Sequence, residues 1–187
     1  MGFFDKLKKK KTNSKENSNN EFVSDSESYK KIVSLIDKQG NALDDLSSCI
    51  DNPREYYMIN KETYEDRGIF EDEDLDTIIW LGIVDYFLEK EVVFELDFKE
   101  ELSEFVYAIE DLIEDRSLEF AEEWFDEESD ISEWVKIINY KWSGSGYVLA
   151  CIDIDSDSYC LFVINNDDYK IIADEANKIG HRIIVLD

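Results

Sequence analysis

The spacing of apolar positions changes several times along the chain after residue 25 and carries little signal before it. Tyr29, Ile32, Val33, Leu35 and Ile36 recur at intervals of three and four, which predicts an amphipathic helix. Ser26 or Ser28 can cap it and Gly40 can stop it. A second helix, over 42–50, should end at Asn52-Pro53, because the residue before a proline is driven out of the helical region. The segment 54–70 shows no clear period. From Asp74, residues Leu75, Ile78, Ile79, Leu81, Val84, Phe87 and Leu88 form a broad apolar stripe and predict a long helix. It has acids at its start and Lys90 at its end, as the helix dipole favours.

Then the period shortens. "VVFELDF" alternates and is rich in β-formers, a strand pattern. Leu102, Phe105, Val106, Ile109, Leu112 and Ile113 return to helical spacing, and "SLEFAEEWFDEE" reads as a separate helix. "DISEWVKIINYKW" predicts another, capped by Asp130 and broken by "SGSG" at 143–146. "YVLACIDI" and "YCLFVI" are strands, "NNDDYKIIADEANKIG" is a capped helix, and "HRIIVLD" is a last strand. The pattern predicts an α+β fold with helices packed on one face of a small, mostly antiparallel sheet of about four strands. No internal repeat is visible.

Charge divides the chain of 187 residues in two. Residues 1–20 carry six lysines against Asp5 and Glu16, a net of +4 within an overall −26. That leaves −30 on the remainder, from 14 basic and 44 acidic residues. The expected organisation is a basic, disordered tail over 1–24 followed by one acidic α+β domain over 25–187. Phe3, Phe4 and Leu7 would share a face of a short amphipathic helix, so weak membrane-surface contact through residues 1–11 is an expectation. Gly2 is not a myristoylation signal, because position 6 is Lys.

The same charge excludes direct nucleic-acid binding, which needs cations to displace counterions. It favours a basic protein surface as partner and speeds that encounter. The three cysteines have no C-x-x-C spacing and His181 is the only histidine, so no zinc site, disulfide framework or cofactor is expected. Reduced thiols in a cytoplasm are the simple reading, with the tail at the inner face of the membrane as its peripheral version.

The stretch "CIDIDSDSYCLF" places Asp153, Asp155 and Asp157 at alternate positions. As a calcium loop it lacks the glycine and glutamate such loops require, offering Ser158 and Ile164 instead. As a phosphoryl-transfer loop of the haloacid-dehalogenase type, with Asp153 as nucleophile and Asp155 as acid/base, it has Asp157 where Thr or Val belongs and too little chain after it. A hairpin turn accounts for the spacing with no ligand. Ser156, Asp157, Ser158 and Tyr159 at its tip remain a candidate recognition edge, because loops on a rigid sheet often bind. The run 110–134 sets many acids against one Arg and reads either as a solvated face or as a docking surface with Trp124, Phe125 and Trp134 as anchors.

Three pieces, "WLGIVDYFLEK" (80–90), "ELDFKEEL" (95–102) and "IDIDSDSYCLFVI" (152–164), together resemble a family of bacterial proteins classed only as a domain of unknown function. Phe98 stands where that family usually has Trp. The resemblance covers roughly 70–187 and implies an α+β fold with no established activity. The leading expectation is therefore a non-enzymatic acidic protein that binds a basic protein, for example an immunity protein that neutralises a toxin. A small-ligand or divalent-cation protein using Asp153, Asp155 and Asp157 is the alternative, and a DNA-mimicking inhibitor is a third.

Overall fold

The computed structural model describes residues 25–38 and 40–186; the basic tail and its expected amphipathic segment lie outside them. Helix α1 (25–36) is followed by four short helices, α2 (Ala42–Asp45), α3 (Ser47–Asp51), α4 (Pro53–Ile59) and α5 (Lys61–Asp66). The segment without a clear period thus resolves into α4 and α5, with Pro53 at the start of α4, where its missing N–H costs nothing. The long helix α6 (Leu75–Glu89) starts at an Asp74 cap, whose carboxylate accepts from the Thr77 N–H at 2.8 Å. Strand β1 (Phe94–Asp97), α7 (Leu102–Ile113), α8 (Ile131–Lys141), β2 (Tyr147–Ile152), β3 (Ser158–Asn165), α9 (Asn166–Lys178) and β4 (Ile183–Ile184) complete the order.

The sheet is four-stranded and antiparallel, in the order β1-β3-β2-β4. The class and the sheet are as the sequence predicts. The helices are not on one face. Val148, Ala150, Ile152, Cys160, Phe162 and Ile164 point into a core formed with α1, α2, α3, α6 and α9. Leu96, Leu149, Cys151, Leu161 and Val163 point the other way, into a second core with α7 and α8. Covering both faces is why "VLACI" and "CLFVI" are apolar at every position and not at alternate ones.

Helix α6 is apolar nearly all round because it is enclosed: Ile79, Ile83, Val84 and Phe87 face the sheet-side core, while Ile78 and Leu81 join Tyr57 and Tyr64 beneath α4 and α5. A second correction concerns 117–128, which forms only a 3-10 turn at Glu122–Trp124. Two buried indoles claim its backbone: Trp142 Nε1 donates to the Glu119 carbonyl at 2.8 Å and Trp134 Nε1 to the Asp126 carbonyl at 2.9 Å. Leu118, Phe120 and Phe125 lie against the second core. No helix among the described residues is long and apolar enough to cross a membrane.

Candidate functional site

The three aspartates of "CIDIDSDSY" sit on the β2–β3 connection, and its geometry is turn chemistry. Asp153 Oδ1 accepts from the Asp155 N–H at 2.9 Å, Ser156 Oγ accepts from the Ser158 N–H at 3.1 Å, and Asp155 has a φ of 56°. Asp153 is half-buried and ion-paired with Arg182, whose guanidinium also lies 3.9 Å from Asp155. Asp157 is exposed. Ser158 and Tyr159 already belong to β3, opposite Asp97 and Leu96, and Tyr159 leans on the second core. The three carboxylates therefore do not converge. Among the described residues no group of three or more Asp, Glu, His or Cys is placed to hold a metal ion.

The structure brings a different set together beside Asp153. The Trp80 and His181 rings stack at 4.4 Å with an interplanar angle of 1°, and His181 Nε2 lies 3.2 Å from the Tyr29 hydroxyl. Trp80 Nε1 donates to the Asp153 carbonyl at 2.8 Å. Burial pushes the His181 imidazole below its ordinary value, against the pull of the Asp76 backbone and of Asp74, Asp155 and Asp153. Burial, reinforced by Asp76, holds the Tyr29 phenol well above its usual range. A neutral imidazole against a protonated phenol locks α1 and α6 to the connection between α9 and β4. Nothing in the local sequence pattern of Trp80 or of His181 points to the other.

A groove of about 400 Å³ opens on the opposite side, between the β1–α7 turn and the start of α8. Glu100, Glu101, Glu127, Glu128 and Asp130 line it, with Lys99 as its one basic residue. Phe98 is 42% exposed at its lip, with the Lys99 ammonium 4.7 Å from the ring centroid. Trp134 forms the floor and is 1% exposed, so it supports the groove and cannot insert into a partner. Trp124 is half-buried, beside Phe120 and Phe125, and the Lys141 ammonium lies 4.9 Å from its ring. The two tryptophans are thus not a pair of exposed anchors.

A family profile described as a domain of unknown function (DUF6630) matches residues 28–186. The chain belongs to the DUF6630 family. The match reaches further back than the recognised pieces of sequence, so the DUF6630 domain takes in α1 to α5 and with them Tyr29, Cys49 and Tyr64. Neither a curated protein nor a solved structure matches the chain. In this DUF6630 domain Asp85 of "WLGIVDYFLEK" pairs with Arg67 at 2.6 Å, and Arg67 also reaches Glu95 of β1 at 2.9 Å. Asp97 of "ELDFKEEL" turns the chain, its Oδ1 accepting from the Lys99 N–H at 2.9 Å.

Proposed function

We propose that this DUF6630 protein is a non-enzymatic binding protein that takes a lysine- and arginine-rich segment of another protein into the groove beside Phe98. An immunity protein for a basic toxin is the concrete form of that reading. The observation that carries it is the groove itself: five carboxylates around one exposed aromatic ring, on a wall held rigid by the buried Trp134. Acids at the rim steer a cationic partner and speed its arrival, and the aromatic ring supplies contact area and a face for a guanidinium. The setting we propose is a reducing bacterial cytoplasm. Three free, buried cysteines support it.

A fluorescently labelled Lys/Arg-rich peptide with one aromatic residue tests this by anisotropy at low salt, with amide shifts to locate it. The expected result is saturable binding that moves the Phe98, Leu102 and Ser129 amides. Glu101→Lys with Glu128→Lys is expected to weaken it by about tenfold or more, on the order of 1.4 kcal/mol or above. An equal charge change at Asp44 and Glu62, outside the groove, should cost much less. Equal losses from both pairs would mean that overall charge, and not the groove, holds the peptide.

A further inference from the structure

A second cavity lies away from that groove and shares no lining residue with it. It is a half-open cleft of about 320 Å³ between α4–α5 and α6, at the lower end of the range of ligand pockets (~300–1,000 Å³). Tyr56 and Tyr86 wall it over the buried Tyr64, Asn60 and Thr63 lie at its edge, and Asp85 and Glu89 supply its charge. Gly82 belongs to its lining because nothing larger fits there. A Cβ on Gly82 would stand 2.6 Å from both Cys49 Sγ and the Tyr64 hydroxyl.

The charge around this cleft is only partly compensated. No lysine or arginine lines it. Behind it, one guanidinium, Arg67, is shared by two half-buried carboxylates, Asp85 at 2.6 Å and Glu95 at 2.9 Å, which leaves that trio at −1. Glu89 on the rim adds another negative charge. Burial pushes the Asp85 carboxyl above its ordinary value in spite of Arg67. Aromatic walls with a surplus of negative charge are the chemistry that recognises an alkylammonium group, which gains from the ring faces and from the carboxylates together. The neighbouring surface already shows one half of that chemistry. Lys90 places its ammonium 5.4 Å from the Tyr86 ring centroid, from the adjoining depression that it lines with Asp37 and Asp45.

We propose that the cleft walled by Tyr56 and Tyr86, with Asp85 and Glu89 beside them, binds a small organic ammonium ion. This site stands independently of the groove beside Phe98, so either can fail alone.

The probe is tetramethylammonium chloride, titrated into the full-length protein against sodium chloride at equal ionic strength, with calorimetry, thermal melting and amide shifts as readouts. The expected result is a saturable isotherm, shifts confined to the region of Asn60, Thr63 and Gly82, and a higher melting temperature than in sodium chloride. Glu89→Gln, at an exposed position, is expected to weaken the affinity by about threefold, and Tyr56→Leu by about tenfold. Thr63→Trp, also at an exposed position, should abolish binding by filling the mouth while leaving the melting temperature of the free protein unchanged. The site is overturned if tetramethylammonium acts no differently from sodium, if the shifts scatter over the acidic surface without saturating, or if Thr63→Trp binds as tightly as the wild type.

Discussion

Trp134→Ala is expected to destabilise the fold by about 3–5 kcal/mol, the range for removing a large buried aromatic side chain. The indole is 1% exposed, its ring centroid is 5.2 Å from that of Phe105, and its N–H donates to the Asp126 carbonyl. Truncation therefore leaves a cavity in the second core and takes away one of the two donors to the Asp126 carbonyl, the Ser129 N–H remaining at 3.0 Å. Urea denaturation should show the midpoint falling. Trp134→Phe separates the two contributions: it keeps a ring, loses the N–H, and is expected to cost about 1–2 kcal/mol. Because Trp134 is also the floor of the acidic groove, the alanine variant should loosen 126–130 and weaken binding of a basic peptide there. A loss below 1 kcal/mol for Trp134→Ala would mean that the second core does not depend on this residue.

Acid should unfold the protein partly through one carboxylate, Glu175. It is buried on α9, where it accepts from Ser28 Oγ at 2.8 Å and pairs with Lys31 at 2.7 Å and Lys178 at 3.0 Å. The two lysines and the hydroxyl hold its carboxyl down at about 2. A depressed carboxylate binds fewer protons in the folded state than in the unfolded state. Its contribution is therefore complete above about pH 5 and is lost as the pH falls towards 2. With both lysines half-exposed to screening water, the contribution is about 1–3 kcal/mol. Acidification also relieves the repulsion within a chain of −26, which acts in the opposite sense, so the informative quantity is the difference from Glu175→Gln. That gap should be open at pH 7 and closed near pH 2; a gap that stays constant would mean the ion pairs of Glu175 contribute nothing. His181 acts in the same direction at higher pH. Its folded value lies below 6.5, so stability is lost as the pH falls from there and the unfolded chain takes up the proton first.

Much of this architecture is legible in the sequence where the signal is local. Asp74, Asp130 and Asn165 each cap the helix that follows them, and the hairpin around Asp153–Asp157 has the turn chemistry its Asp and Ser residues announce. The placement of helices on both faces was present too, in the unbroken apolar runs of β2 and β3, but that pattern is also what a buried helix shows, so it does not decide alone. The segment 117–128 misleads because its helical spacing competes with two indoles that arrive from α8 and the turn after it. The Trp80–His181 stack, the Arg67 trio and the tyrosine-walled cleft are set by tertiary approach between distant segments, and no local spacing encodes them. The hairpin acids drew attention by number, yet only Asp153 is half-buried, its carbonyl held by Trp80 and its carboxylate paired with the exposed Arg182.

The two-sided sheet has a consequence for the three thiols. Although Cys151 and Cys160 lie on neighbouring strands, one residue out of register, they belong to opposite cores. Cys49 shares the core of Cys160. All three are buried and free, and burial pushes Cys49 and Cys151 up to about 12, so none reacts until the structure around it opens. The chain thus carries its own unfolding reporters, two on one side of the sheet and one on the other. The order in which they become alkylated reads out whether the two halves breathe together or separately.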